Sequence, residues 1–381
     1  MKIAYIVETL LPNGGIQRIL TEKANYMSEI FNFDITIISC TQLPEQDNAF
    51  PLSKDIKQIN LAVPYYAQYK YKFIHRLYAK ITASRTLQKR LKEEINRINP
   101  DIVIGVGNFQ ADRISKIDCN AKKVIECHEA RSFTQTSHGH KSVLSQLFVN
   151  LYKNKYFQDI EKNADAIVTL TIDDKKEWSN AKKVVTIPNF SLMSVSNYCN
   201  YKTKRIISVG RLSWEKGYGR LIEIWKTISP THPDWQLDIF GEGPLYPELK
   251  KAISDNQIKN IHLCGNSRNI SQEYSDCSIC VVTSLYEGFS LVLLEALKHG
   301  IPCVAFDCPC GPRSIIENGC CGFLVENDNN PEFAKKLTLL MENESLREEF
   351  SKAAVKCAEK FSPSIVMLEW KKLFEDLIMT Q

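Results

Sequence analysis

Two glutamates in the last third of the sequence have a spacing that suits ligand binding at the start of a helix. Glu287 and Glu295 lie in the segment Ser284–Leu297, which reads SLYEGFSLVLLEAL. The apolar run Ser278–Val282 before it predicts a strand, so the pattern predicts a strand, a turn at Gly288 and then a helix. Free N–H groups and the positive dipole at such a helix start suit a phosphate or a polar sugar. Glu295, about two turns inside the apolar helix, either lines such a site or faces water.

A second group of residues supplies cations at the end of another predicted strand. Arg205–Val209 (RIISV) leads into Gly210, and Arg211 and Lys216 follow in the loop. An open α/β sheet binds its ligands just beyond the carboxyl ends of its strands. Arginine offers a two-pronged donor and lysine a point charge, a pair that suits a diphosphate.

The amino-terminal half repeats this layout with other residue types. Lys2–Val7 predicts a strand, and Gly14 and Gly15 follow in a loop where backbone can approach a ligand closely. The loop is not G-x-G-x-x-G, so the nicotinamide-binding fingerprint is absent. His128 follows the predicted strand Lys123–Glu126. A single histidine is more often structural, but its place at the carboxyl end of a strand favours a functional role.

Together these residues resemble the family-4 retaining glycosyltransferases, which have the GT-B fold, and in particular those that build bacterial surface polysaccharides. The resemblance runs the full length of the chain. The segments that carry it are Gly14–Arg18, His128, Val209–Leu212 with Lys216–Gly217, Phe240–Pro244, Leu263–Gly265, Glu287 with Glu295, Asp307–Pro312 and Gly322–Val325.

The resemblance implies an α/β architecture of two Rossmann-like, doubly wound parallel-sheet domains that face a central cleft. It implies catalytic roles for His128, Arg211, Lys216 and Glu287. It implies donor-binding roles for Gly14, Gly15, Gly210, Gly241, Asn266, Gly288, Phe289, Ser290, Leu291 and Glu295. Glu295 would bind the ribose, Glu287 the donor sugar, and the backbone after Glu287 the sugar and phosphates. Asn266 would flank the base, although an ordinary exposed loop explains it nearly as well. Family members often have glycine at the position of Ser290.

The implied reaction moves a hexose or N-acetylhexosamine from a nucleotide sugar, UDP-linked in this interpretation, to a lipid-linked or polysaccharide acceptor with retention at the anomeric carbon. Arg211 and Lys216 would stabilise the leaving diphosphate, and the sequence has no Asp-x-Asp metal pair, so we expect no metal and no cofactor. Two alternatives stay open: a GT-B-fold sugar-nucleotide epimerase, and a non-catalytic sugar-nucleotide-binding partner of another transferase. The nucleotide base, the sugar, the acceptor, the linkage and the oligomeric state are not determined by the sequence.

Composition narrows the class of protein. The chain of 381 residues is 44% hydrophobic, ample for two domains, and its net charge is +4, with +7 on residues 1–200 and −3 on residues 201–381. A modest positive excess favours an anionic surface or acceptor over nucleic acid. The 13 scattered cysteines fit a reducing compartment. No signal peptide or apolar span of about 20 residues is evident, so we expect a cytoplasmic protein, peripheral at most on the inner face of the membrane.

Strand-like and helix-like segments alternate along the whole chain, which predicts parallel sheets. The predicted strands of the first half are 2–7, 34–39, 101–105, 123–126, 166–169 and 184–186, with helices at about 16–30, 74–98, 143–163 and 173–179. The predicted organisation is an acceptor domain at 1–190, a polar linker at 191–204, a donor domain at 205–362 and a terminal helix at 363–381 that packs back on the first domain.

One segment is unusually basic and aromatic. Tyr65–Arg97 holds nine Lys and Arg against two Glu, with tyrosines interleaved. Apolar residues at helical spacing run through it: Ile74, Leu77, Ile81, Leu87, Leu91, Ile95 and Ile98. The pattern fits a core helix with a solvated basic face, or an interfacial segment that contacts anionic lipid, with Lys89, Arg90 and Lys92 among the contacting charges. His138 and His140 lie in a polar loop, for which a solvated loop is the simpler interpretation.

Overall fold

The computed structural model describes residues 1–11, 14–131 and 143–379. Contacts within the chain divide it into two units. Unit 1 comprises Met1–Pro188 together with the chain from Val366 onward, and unit 2 comprises Asn189–Ile365.

In the described residues, unit 1 contains a seven-stranded parallel sheet. The strands are β1 (Lys2–Val7), β2 (Asp34–Ser39), β3 (Lys57–Asn60), β4 (Ile102–Val106), β5 (Lys122–Glu126), β6 (Ala166–Thr169) and β7 (Val184–Thr186). Their order is β3-β2-β1-β4-β5-β6-β7, so the winding direction reverses between β1 and β4. The central strands are continuous apolar runs because helices cover both faces of such a sheet.

The helices of unit 1 alternate with these strands. They are α1 (Gly15–Glu29), a 3₁₀ helix (Tyr65–Lys70), α2 (Phe73–Ile98), α3 (Asn108–Ser115), α4 (Val143–Asn163) and α5 (Ile172–Lys176). The core joins residues from β1, β4 and β5 to Leu87, Leu91 and Ile95 from the carboxyl-terminal part of α2. Buried apolar side chains thus anchor that part of α2 to the sheet.

Unit 2 repeats the design with a six-stranded parallel sheet. Its strands are β8 (Arg205–Val209), β9 (Gln236–Phe240), β10 (Ile261–Gly265), β11 (Ile279–Val282), β12 (Cys303–Asp307) and β13 (Gly322–Glu326). The order β10-β9-β8-β11-β12-β13 reverses between β8 and β11. The helices of unit 2 are α6 (Tyr218–Ile228), α7 (Tyr246–Asp255), α8 (Ile270–Ser275), α9 (Leu291–Lys298), α10 (Asn330–Glu342) and α11 (Glu344–Glu359), with 3₁₀ turns at Trp214–Lys216 and Pro312–Ser314. The last helix, α12 (Pro363–Met379), starts in unit 2 and belongs to unit 1 from Val366 onward.

The predicted fold class of two doubly wound, Rossmann-like parallel sheets is confirmed. The pattern missed β3, an edge strand of half-exposed polar residues, and α3. The helix predicted at 173–179 is shorter, since α5 ends at Lys176.

Residues 191–204, predicted as a linker, make hydrogen bonds within unit 2. Lys298 Nζ donates to the carbonyl oxygens of Ser191 (2.6 Å) and Met193 (2.8 Å), and Cys199 N donates to His299 O (2.7 Å). Most of helix α12 groups with unit 1, where Trp370 and Phe374 are buried.

Candidate active site

The candidate donor site of unit 2 lies where its sheet reverses direction. Strands β8 and β11 are direct neighbours there, with Ile206 beside Ile279. The loop after β8 carries Arg211 and Lys216, and the loop after β11 carries Glu287. Ligands of doubly wound sheets bind outside the carboxyl ends of the strands at such a reversal. Residues 71 positions apart in the chain are thus brought to one edge of the sheet.

Lys216 and Glu287 form an ion pair at this edge. Lys216 Nζ donates to Glu287 Oε1 at 2.8 Å, and Ser284 Oγ donates to the same oxygen at 2.6 Å. The side chain of Glu287 is 9% exposed and that of Lys216 is 26% exposed. The lysine is therefore fixed on the carboxylate and still open to solvent, so its ammonium can also reach a bound anion.

Backbone contacts hold the two loops together. Gly217 has a φ of +66°, and a Cβ atom there would overlap the Thr283 carbonyl oxygen. Thr283 Oγ1 donates to Lys216 O at 3.2 Å, and Leu285 N donates to Glu215 O at 2.8 Å. Arg220 Nε donates to Thr283 O at 2.7 Å, with the guanidinium 3.9 Å from the centre of the Phe306 ring. Only glycine allows this close approach, which positions Lys216 against Glu287.

Gly210 and Gly241 lie side by side after β8 and β9. A Cβ atom at Gly241, whose φ is +134°, would overlap the Gly210 carbonyl oxygen. That oxygen also accepts from Tyr218 Oη at 3.2 Å. The predicted donor-binding glycines therefore have a packing reason to be glycine, and their contact with a donor stays a prediction.

Arg211 is the second predicted cation of the donor site. Its side chain is exposed. Among the described residues, no hydrogen bond or ion pair involves its guanidinium, whereas Lys216 is held by Glu287. The arginine thus supplies a positive charge that the protein leaves uncompensated.

Gly288, Phe289, Ser290 and Leu291 form the entry to helix α9. Ser290 is the residue before the helix, its side chain does not cap the helix, and the first turn has no acidic residue. Phe289 is buried, with its ring 5.6 Å from that of Phe361. The N–H groups of this helix start therefore have no side-chain acceptor from the cap and can serve a ligand.

Glu295 lies inside α9 with 5% of its surface exposed, so the alternative of a water-facing glutamate is wrong. Tyr274 Oη donates to Glu295 Oε2 at 3.4 Å. Burial, together with the nearby carboxylate, raises the pKa of Tyr274 well above its usual value. The tyrosine is therefore a neutral donor to the Glu295 carboxylate.

Asn266, the predicted neighbour of the base, follows β10. It is exposed, next to Gly265, whose carbonyl oxygen accepts from Gly241 N at 2.7 Å. The contact of Asn266 with a base stays a prediction.

Unit 1 has its own cavity, of about 290 Å³, at the carboxyl edge of its sheet. It is lined by Val7, Glu8, Thr9, Leu10, Ile16, Gln17, Leu20, Val106, Gly107, His128 and Glu129. These residues end or follow β1 and β4, follow β5, or lie on the first turns of α1, the position expected for a ligand site. Gly14 precedes α1 and its carbonyl oxygen accepts from Arg18 N at 3.0 Å; Gly15 is the first helical residue.

His128 contacts a buried charge network beneath this cavity. Its Nε2 lies 2.8 Å from Glu126 Oε1, without the alignment of a hydrogen bond. Glu126 Oε1 accepts from the ammonium of Lys23, which also lies 4.7 Å from the centre of the Trp370 ring. Burial, reinforced by the nearby Lys23, lowers the pKa of His128 to about 3, against a smaller opposing effect of Glu129. His128 is therefore neutral at neutral pH.

Sequence reasoning missed Lys23 and Glu126. The available signal was the helical stripe of α1, in which Lys23 takes a core position between Leu20 and Met27. Burial lowers the pKa of Lys23 well below its usual value. His138 and His140 lie outside the described residues.

Among the described residues, Glu317, Cys320 and Cys357 bring three potential metal ligands within 4.8 Å of one another. Glu317 Oε1 already accepts from Lys360 Nζ at 3.1 Å. None of the three was a predicted site residue. Within the described residues, none of the helices combines the length and the apolarity needed to cross a bilayer.

Comparison with known proteins matches residues 195–356 to the family model "Glycosyl transferases group 1". The chain is 26% identical to the amylovoran biosynthesis glycosyltransferase AmsD of Erwinia amylovora, covering 98% of this chain and 99% of that protein. It is 27% identical to the poly(ribitol-phosphate) alpha-N-acetylglucosaminyltransferase of Staphylococcus aureus, covering 98% of this chain and 74% of that protein.

Among solved structures, a TarM variant of S. aureus, crystallised with fondaparinux, alpha-GlcNAc-glycerol and UDP, superposes with a TM-score of 0.79 at 17% identity, covering 98% of this chain and 99% of that one. The fold of two doubly wound sheets, the family match over most of unit 2 and the full-length likeness to named transferases agree with one another. Residues 195–356 thus match the group 1 glycosyltransferases, and the chain has the GT-B fold.

Proposed function

We propose that the protein is a retaining, metal-independent glycosyltransferase of surface glycan biosynthesis. It moves a hexose or N-acetylhexosamine from a UDP-linked donor to a lipid-linked or polysaccharide acceptor at the cytoplasmic face of the membrane. Support comes from relatives named for amylovoran and poly(ribitol-phosphate) glycosylation, and from the UDP in the TarM structure. The observation that carries the proposal is the Lys216–Glu287 pair beside the uncapped start of α9.

Different residues of unit 2 bind different parts of the donor. Glu295, buried inside α9, accepts from the ribose hydroxyls, and Glu287 accepts from hydroxyls of the donor sugar. Arg211 and Lys216 contact the diphosphate. Two cations and the helix start thus face the group on which negative charge grows, and this arrangement stabilises the transition state more than the ground state.

The chemistry is cleavage of the bond between the anomeric carbon and the diphosphate oxygen, whose electron pair stays with the diphosphate. The sugar passes through an oxocarbenium-like transition state. The acceptor hydroxyl attacks from the same face, and its proton passes to the leaving phosphate oxygen, so the configuration is retained. We assign the cavity of unit 1 to the acceptor, and His128 stays a predicted contact of the donor sugar.

Release of nucleoside diphosphate from a panel of UDP-sugars, measured with and without acceptor extract, tests the proposal. Acceptor-dependent release, with retention shown by the anomeric coupling of the product, supports it. Conversion of the donor sugar without release would identify an epimerase. Binding of a UDP-sugar, seen as a thermal shift, without turnover would identify a non-catalytic partner.

A further inference from the structure

The amino-terminal half of helix α2 leaves its apolar face exposed. Ile74, Leu77, Tyr78 and Ile81 follow the i, i+3, i+4, i+7 spacing of one helix face, and their exposed fractions are 76%, 59%, 73% and 42%. Such a face normally packs against a core. Here only the later part of the stripe, from Leu87 onward, is buried. A core helix, one of the two interpretations of the sequence, therefore describes the second half of α2 and not the first.

The preceding 3₁₀ helix extends this face with aromatic rings. Tyr66, Tyr69 and Tyr71 are 46%, 62% and 53% exposed. The rings of Tyr66 and Tyr69 stack at 6.1 Å, and Arg76 lies 4.5 Å from the centre of the Tyr69 ring. We call the exposed side chains of Tyr66, Tyr69, Tyr71, Ile74, Leu77, Tyr78 and Ile81 the aromatic–apolar surface.

Cations surround this surface. Lys70, Lys72, Arg76 and Lys80 are all exposed, and the sequence has no aspartate or glutamate between Asp55 and Glu93. A lone apolar patch would suit many partners. Tyrosines, aliphatic side chains and unopposed cations together match the interface of a bilayer, where rings sit at headgroup level and anionic lipids attract lysine and arginine.

We propose that the aromatic–apolar surface and its cations bind the headgroup region of an anionic lipid bilayer. This surface lies next to the unit 1 cavity that we assign to the acceptor. Tyr66, part of the surface, donates its Oη hydrogen to Glu8 Oε1, and Glu8 lines that cavity. The choice of a lipid-linked acceptor rests on the proposed function; the binding of lipid does not.

The charges that we propose for the lipid contact differ from those that the sequence suggested. In the sequence-based interpretation these were Lys89, Arg90 and Lys92, which lie on the half of α2 that packs on the sheet of unit 1. Arg90 Nη1 donates to Leu61 O at 2.7 Å, Lys89 lies 3.8 Å from Glu93, and Lys92 lies 3.9 Å from Asp118. Lys72 and Lys89 are separated by roughly 25 Å of helix, at about 1.5 Å per residue, more than twice the Debye length of about 10 Å in 0.1 M salt. Charge changes at the two ends are thus separable.

Co-sedimentation of the full chain with vesicles tests the proposal. We expect binding to phosphatidylcholine–phosphatidylglycerol vesicles and much weaker binding to phosphatidylcholine alone. Lys70→Gln with Lys72→Gln should lower the partition coefficient about 25-fold, from ~1 kcal/mol per charge. The matched control, Lys89→Gln with Lys92→Gln, removes the same charge and should change it less than about twofold.

The apolar contribution needs its own variant. Ile74→Ser, Leu77→Ser and Ile81→Ser together should abolish vesicle binding. Because the three side chains are exposed, the melting temperature and the hydrolysis of soluble donor should not change.

Three results would overturn the proposal: no binding of the unchanged chain to anionic vesicles, equal losses in the two lysine pairs, or retained binding in the serine variant. Self-association that disappears in the serine variant, without vesicle binding, would mean that the surface contacts protein instead. Vesicle binding by a chain without turnover would leave this inference standing and refute the proposed function.

Discussion

The charge of Glu287 is the most informative single property to remove. In Glu287→Gln the side chain keeps its shape and its Oε1 acceptor, so the hydrogen bonds from Lys216 and Ser284 remain, now to an uncharged amide oxygen. Gly311 packs closely against this side chain, since a Cβ atom at Gly311 would lie only 2.5 Å from Glu287 Cβ. The substitution therefore changes electrostatics and little else.

The expected loss follows from one charge-assisted hydrogen bond to the donor sugar, about 1.5–3 kcal/mol. If this contact tightens as positive charge develops on the sugar, kcat and kcat/KM fall together by roughly 10–150-fold. Affinity for free UDP should not fall, because Lys216 loses its anionic partner and becomes more available to the diphosphate. Lys216→Met should lower that affinity.

Glu295→Gln should have a different kinetic effect from Glu287→Gln. Glu295 holds the ribose, which does not react, so its loss should raise KM for the donor by ~10–100-fold with a small effect on kcat. The exposed Glu326, changed to Gln, controls for removal of a carboxylate from unit 2 and should leave both constants unchanged.

Steady-state release of nucleoside diphosphate by purified variants, with circular dichroism as the folding check, decides between these outcomes. Full activity in Glu287→Gln, or a kcat defect confined to Glu295→Gln, would refute the assignment of the pair.

Further tests address the metal, pH and packing. Turnover should survive EDTA, because cations and N–H groups stabilise the leaving group; loss that Mg²⁺ or Mn²⁺ restores would contradict this. The pKa of His128 is 6.5 in the unfolded chain and about 3 in the folded protein, so the unfolded state binds the proton first and the free energy of unfolding falls as the pH drops below 6.5. Between pH 6.5 and pH 5, denaturant titration should find a loss of unfolding free energy about 2 kcal/mol larger than in His128→Gln. Equal losses in the two proteins would refute the pKa shift. Lys23→Met should lower the free energy of unfolding by about 3–5 kcal/mol, because it leaves Glu126 buried without its cation. Adding Glu126→Gln should restore much of this free energy. Unchanged stability in Lys23→Met would show that the pair is dispensable. Gly217→Ala should lower the melting temperature because its Cβ meets the Thr283 carbonyl, whereas Gly219→Ala, with open space around it, should not.

The sequence by itself determined the alternation of strands and helices and the loops that carry the candidate site. Segments such as Lys2–Val7 and Arg205–Val209 are local apolar runs bounded by turn residues, and this local pattern is sufficient to predict a strand. The loops that follow them were identified for the same reason, since the carboxyl ends of parallel strands share one edge of a sheet. Edge strand β3 was not predicted, because its half-exposed, mostly polar residues do not form an apolar run.

Only the tertiary structure decided which members of a local pattern are buried. Ile74 and Leu87 belong to one run of apolar residues at helical spacing, yet the first is 76% exposed and the second fully buried, because the sheet covers only the carboxyl-terminal part of α2. Lys23 looks like any helical lysine until β5 brings Glu126 against it. Likewise the partner of Glu287 is Lys216, 71 residues away in the chain, and its place depends on the pairing of β8 with β11. Burial and partner choice depend on contacts distant in the chain, which local periodicity does not encode.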